Sequence, residues 1–92
     1  MATFVAMPKL GMNMEEGIVV QWLVAEGEAV SAGQTILEIE TDKANADVEA
    51  PADGILGRIV RLPGDTVPIN GVLAVIVSPG ERVPADVPDA IA

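Results

Sequence analysis

Slid against itself at an offset of 37 residues, this 92-residue chain matches its own second half. Gly17-Ile18 meets Gly54-Ile55, Gly27-Glu28-Ala29-Val30 meets Gly64-Asp65-Thr66-Val67, and Thr35 to Glu40 meets Val72 to Val77. Two half-domains are therefore present, and with 50% of the residues hydrophobic there is material for one small core and no second. Each half reads as strand, Gly-acid turn, short strand, second turn, strand. In the first half these are Ile18 to Val24, Glu26-Gly27-Glu28, Val30, Ala32-Gly33-Gln34 and Ile36 to Thr41. In the second they are Ile55 to Leu62, Pro63-Gly64-Asp65, Val67, Asn70-Gly71 and Leu73 to Val77. The runs between these closely spaced turns are β-branched, which predicts short strands over helices. Gly27, Gly64, Gly33 and Gly71 are read as turn glycines supplying left-handed conformations.

A further strand ending at a proline precedes each half, Val5-Ala6-Met7-Pro8 before Gly17 and Val48-Glu49-Ala50-Pro51 before Gly54. The prediction is an all-β fold of about eight strands: a flattened barrel or sandwich of two roughly four-stranded sheets related by a pseudo-twofold axis, a barrel-sandwich hybrid. The halves differ in one place. Pro8 to Gly17 is nine positions and Pro51 to Gly54 only three, so the first half carries an extra six-residue loop within Lys9 to Glu16. Residues 1–78 are expected to form the domain. Residues 79–92, interrupted by Pro79, Pro84 and Pro88, are expected to be a linker or disordered tail.

Histidine and cysteine are both absent, which removes Ser-His-Asp and Cys-His triads, the usual zinc and iron-sulfur ligand sets, and dithiol chemistry on the protein's own side chains. No catalytic and no metal-ligating residue is assigned, and any redox or acyl chemistry must be imported. A net charge of −9 without a long single-sign block argues against nucleic acid. The longest apolar run, Val72 to Val77, is six residues, far short of the roughly 20 a membrane span needs. With no signal-like N-terminus, a cytoplasmic, monomeric domain is the expectation, or a mitochondrial matrix one if a transit segment has been cleaved.

Between the halves runs Glu38 to Glu49, with Ile39 and Val48 on one face and the acids mainly on the other. Asp42-Lys43 falls where this hairpin must reverse. An Asp there bonds its own backbone locally and pushes the lysine to the exposed tip. Taken alone, Lys43 is a solvated turn lysine.

In its duplicated setting, Glu40-Thr41-Asp42-Lys43-Ala44 resembles the lipoyl domain of the acyltransferase (E2) component of 2-oxo acid dehydrogenase complexes. Met7-Pro8-Lys9-Leu10-Gly11-Met12, Glu16-Gly17, Gly27 with Val30, Gly33, Val48-Glu49-Ala50-Pro51 and Gly54 extend the likeness over residues 3 to 78. The resemblance implies a swinging-arm carrier with lipoic acid amidated onto Lys43, and Asp42 and Ala44 as recognition flanks. The related biotin carriers have methionine on both sides of their lysine, so these flanks resemble the lipoyl type. A lipoyl group would supply the dithiolane this chain lacks, and its amide would take the net charge to −10.

The partners so implied are a lipoate ligase or lipoyl transferase, the E1 decarboxylase, the E2 acyltransferase core and the E3 dihydrolipoamide dehydrogenase. The chain itself would be a non-catalytic part of a dihydrolipoamide acyltransferase system serving pyruvate, acetoin or branched-chain substrates. The alternatives are a biotinyl carrier domain and an unmodified barrel-sandwich interaction module. In the resembled family the loop matching Lys9 to Glu16 lies near the lipoyl-lysine and helps E1 recognise the domain. Met7 is read as packing, while for Met12 and Met14 packing and partner contact both stay open. Glu15, Glu16, Glu38, Glu40, Asp47 and Glu49 are read as a solvated face, and Trp22 as packed in the core.

Overall fold

A computed structural model of the chain describes residues 2–91. Its strands are β1 (Thr3–Ala6), β2 (Glu16–Trp22), β3 (Ala29–Val30), β4 (Thr35–Glu40), β5 (Asn45–Glu49), β6 (Gly54–Ile59), β7 (Thr66–Pro68) and β8 (Val72–Val77), with no helix among the described residues. They pair antiparallel in two four-stranded sheets, ordered β1-β8-β6-β3 and β5-β4-β2-β7. This is the two-sheet, all-β architecture the repeat predicts.

The repeat extends to the register. β6 pairs with β8 through Leu56↔Ile76 and Arg58↔Val75, and β2 pairs with β4 through Val19↔Ile39 and Gln21↔Glu38, positions 37 residues earlier. Each ladder shifts register at the same step, across Gly57 in one and Val20 in the other. The turn bonds repeat as well: Gly27 N donates to Leu56 O at 2.8 Å, and Gly64 N to Val19 O at 2.7 Å. β1 on β8 corresponds to β5 on β4. The pseudo-twofold therefore carries the β4–β5 hairpin tip onto the place where β1 begins and β8 ends.

Two strands stop short of expectation, at Trp22 instead of Val24 and at Ile59 instead of Leu62. Each makes one further ladder bond, Leu23 N to Ile36 O and Val60 N to Leu73 O at 2.9 Å, before the chain bends into its Gly-acid turn. Gly27, Gly33 and Gly64 adopt the left-handed conformation expected of them, at φ 91°, 87° and 95°. Gly71 does not. Its neighbour Asn70 takes the role at φ 69°, and Gly71 is needed because a Cβ there would meet the Val67 side chain and lie 2.9 Å from the Pro68 carbonyl.

The core between the sheets is aliphatic, centred on Ile36, Leu37, Ile39, Leu56, Leu73 and Ile76, and no polar or charged residue is buried among the described residues. Trp22 is half-buried at its margin instead of inside it, because its indole N–H donates to the Arg61 carbonyl at 2.8 Å. Beyond β8 the chain turns back over the sheet. Val83 lies over Gly57 beside Val77, close enough that a Cβ on Gly57 would stand 2.7 Å from the Val83 methyl. Farther on, Val72 N donates to Asp89 O and Ile91 N to Asn70 O, both at 2.8 Å.

Candidate functional site

Glu40 pairs with Asn45, so the β4–β5 turn consists of residues 41 to 44. Thr41 closes it. Its backbone N–H donates to the Ala44 carbonyl at 3.0 Å and its hydroxyl donates to the same oxygen at 2.8 Å. The hydroxyl oxygen in turn accepts from the amides of Lys43 at 3.3 Å and Ala44 at 3.2 Å. One side chain thus ties three backbone polar groups at the tip. The local bonding expected of Asp42 belongs to Thr41, one residue earlier, and the Asp42 carboxylate makes no hydrogen bond among the described residues.

Lys43 stands at this corner, exposed, its amine without a hydrogen bond or ion pair among the described residues. Asp42 and Ala44 flank it, both exposed. Behind the turn, the Glu38 carboxylate accepts from Gln21 Nε2 at 2.9 Å and Asn45 Nδ2 at 3.1 Å. These two bonds, that from Gln21 foremost, hold its carboxyl below the usual carboxylate range and brace the hairpin against β2.

The loop preceding β2 comes up beside the tip. Met7 and Met14 are buried and anchor its base, while Met12 is 92% exposed and Leu10 53% exposed at its crest. Gly17 makes room for the anchors, since a Cβ there would lie 2.9 Å from Met7 Sδ. The Leu10 amide donates to Met14 Sδ at 3.3 Å, and Met14 N to Gly11 O at 3.2 Å, so the crest is folded over the buried thioether. The question left open for the methionines is thereby resolved: Met14 packs and Met12 is surface.

Two grooves flank the tip. One, of about 220 Å³, lies between loop and hairpin and is lined mainly by apolar atoms, Leu10, Met14, Ala44 and Ala46 among them, with Asp42, Asn13, Asn45 and Lys43 also on its wall. The other, of about 360 Å³, shares Thr41 and Asp42 and is acidic, with Glu15, Glu16 and Glu40. Of the acids expected on a solvated face, these three are brought together with Asp42.

The tip suits covalent attachment through an amide. A primary amine on a fixed turn is open to an acyl donor, and its conversion to a neutral amide breaks no ion pair. Thr41 is the residue sequence reasoning passed over, although a Thr three residues before the closing residue of a tight turn is a recognisable signal.

Comparison with known proteins shows the family. Residues 3–76 match the biotin/lipoyl family described as "Biotin-requiring enzyme". The chain is 44% identical over 85 residues to the dihydrolipoyllysine-residue acetyltransferase component of the acetoin cleaving system of Pseudomonas putida, covering 92% of this chain and 22% of that protein. It is 46% identical over 80 residues to the corresponding component of the pyruvate dehydrogenase complex of Rhizobium meliloti, covering 86% of this chain and 18% of that protein. The chain thus spans about a fifth of the curated relatives it matches. Among solved structures, the lipoyl domain of the 2-oxoglutarate dehydrogenase complex of Azotobacter vinelandii superposes with a TM-score of 0.63 at 33% identity, covering 80% of this chain and 96% of that one.

Proposed function

The chain belongs to the biotin/lipoyl attachment family as a lipoyl domain of the E2 type, and on that footing we propose that Lys43 is its attachment residue and that it shuttles acyl groups and electrons between the components of a 2-oxo acid or acetoin complex. The observation that carries this reading is the unpartnered Lys43 amine on a turn locked by Thr41. When bound, the lipoyl group supplies a dithiolane that accepts both acyl groups and electrons.

The chain's own residues do the rest. Thr41 fixes the direction in which the Lys43 stem leaves the surface, and Glu38 keeps the hairpin beneath it from twisting. The four methylenes of Lys43 give reach, and the absence of bulk at Ala44 leaves the amine open to a ligase. Lipoylation over biotinylation is supported by Asp42 and Ala44, which stand where biotin carriers have methionines. The exposed crest of Leu10 and Met12 supports recognition by E1.

The same reading extends to the lipoate ligase or lipoyl transferase, to the E1, E2 core and E3 components as partners, and to a monomeric domain in the cytoplasm or mitochondrial matrix. Residues 1–78 act as the carrier, and residues 79–92, which first fold back on it through Val83, Asp89 and Ile91, lead into the tether to the rest of a parent chain. Incubating the chain with lipoate ligase, ATP and lipoate, followed by peptide mapping, tests the assignment: the lipoyl mass is expected on Lys43, and its appearance on Lys9 overturns it.

A further inference from the structure

Attachment needs only access to the Lys43 amine, so it leaves unexplained why an apolar groove opens at the lysine's own foot. We propose that this groove between the Lys9–Glu16 loop and the hairpin is a resting site for the oxidised dithiolane ring carried on Lys43, held against Leu10, Met14, Ala44 and Ala46. The inference rests on Lys43 being the attachment residue.

Three observations carry it. The groove, at about 220 Å³, is below the roughly 300–1,000 Å³ of sites for free ligands, so it suits a small ring better than a whole metabolite. Its walls suit a neutral, polarisable ring: aliphatic carbon from Leu10, Ala44 and Ala46, and the Met14 thioether, whose sulfur is already turned toward the loop by the Leu10 amide. Lys43 lines the rim, so the ring arrives on a tether and even weak contacts are populated, because binding is intramolecular. The neighbouring groove is the poorer seat: Asp42 lines both, but there Glu15, Glu16 and Glu40 add three carboxylates that a neutral ring would strip of water. A seated ring is screened from adventitious thiols and phosphines. The open-chain dithiol, more polar and no longer a compact ring, fits the same walls less well.

The test compares the full chain lipoylated on Lys43, verified by peptide mapping, with the chain acetylated on Lys43, which carries the neutral amide without the ring. Methyl resonances of Leu10, Met14, Ala44 and Ala46 are expected to move between the two forms, while that of Met12, outside the groove, stays. Reduction of the oxidised ring by a water-soluble phosphine is expected to be about tenfold slower than for free lipoamide, the factor that about 1.4 kcal/mol of docking gives. Leu10→Asn should return the rate to that of free lipoamide and Met12→Asn should leave it slow. Unmoved groove methyls, or reduction at the free rate, on a chain shown to carry its lipoyl group on Lys43 would overturn the resting site alone. A lipoyl group mapped to Lys9 would overturn the attachment reading, and the resting site with it.

Discussion

Thr41 and Ala44 are joined three times across the tip of the β4–β5 hairpin: amide to carbonyl at 3.0 Å, hydroxyl to carbonyl at 2.8 Å, and amide to hydroxyl at 3.2 Å. The lysine between them is consequently presented by a turn whose shape depends on one hydroxyl. Thr41→Val keeps the β-branched shape and removes the oxygen. Its expected effect is a several-fold slower lipoylation with a stability loss of about 1 kcal/mol, the scale of an exposed hydrogen bond or two. Thr41→Ser, which retains the hydroxyl, should recover most of the rate. Equal ligation rates for all three proteins would show that the turn needs no such lock.

The lysines separate cleanly. Lys43→Gln is expected to abolish lipoylation and Lys9→Gln to leave it intact, as read by intact mass after ligase treatment. Both are exposed, so their melting temperatures should reflect changes within about ±0.5 kcal/mol.

Flank identity is the next variable. Replacing Asp42 and Ala44 together with methionine is expected to slow lipoylation and to admit some biotinylation by a biotin ligase, scored by avidin shift. An unchanged lipoylation rate would move recognition from the flanks to the hairpin's geometry.

Met12 and Met14, two residues apart, should behave oppositely. Met14→Ala empties a core position and is expected to cost about 2–5 kcal/mol in chemical denaturation. Met12→Ala, at a site 92% exposed, should leave stability within about ±0.5 kcal/mol while lowering the rate of reductive acylation by E1. If Met12→Ala is acylated normally, the crest of the loop is not a recognition surface.

Residues 80–92 can be removed to test the tether. Lipoylation should persist in the truncated domain, whereas loss of the half-buried Val83 over Gly57 and Val77 should lower stability by about 1 kcal/mol, less than a fully buried valine would. Amide relaxation of the intact chain complements this. Order parameters near 0.85 from Pro79 to the last residue would mark a segment as rigid as the strands and refute a tether beginning there.

Much of the fold was legible because duplication writes the same information twice. The offset of 37 relates strands, Gly-acid turns and even the two register shifts, and the six extra residues of the Lys9–Glu16 loop stand out against it. What escaped was long-range. Asp and Thr are both good turn residues, and only the Glu40↔Asn45 register says that Thr41, not Asp42, opens the turn. The left-handed residue of the second half is Asn70, but Asn70-Gly71 read locally favours the glycine. The proline-spaced tail has no period to betray contact, and the space that admits Val83 is a missing Cβ at Gly57, which becomes meaningful only once β6 and the tail lie together. Lys43 was accessible by its place between the halves, whereas the groove beside it depends on Met14 folding Leu10 over itself.

The outermost strands have a bearing on how long any encounter lasts. β3 and β7, two and three residues long, end their sheets, β7 closing on Pro68, and the longer edge β5 carries Asp47 and Glu49 outward. None of these three offers a run of unpaired, uncharged backbone onto which a visiting protein could add a strand and stay, and the fourth edge, the uncharged β1, is only four residues long. Strand addition is thereby disfavoured at these borders, leaving association to side chains, which favours fast dissociation. A carrier of the kind proposed, which would have to leave each station to reach the next, would be served by residence times kept short at its sheet borders.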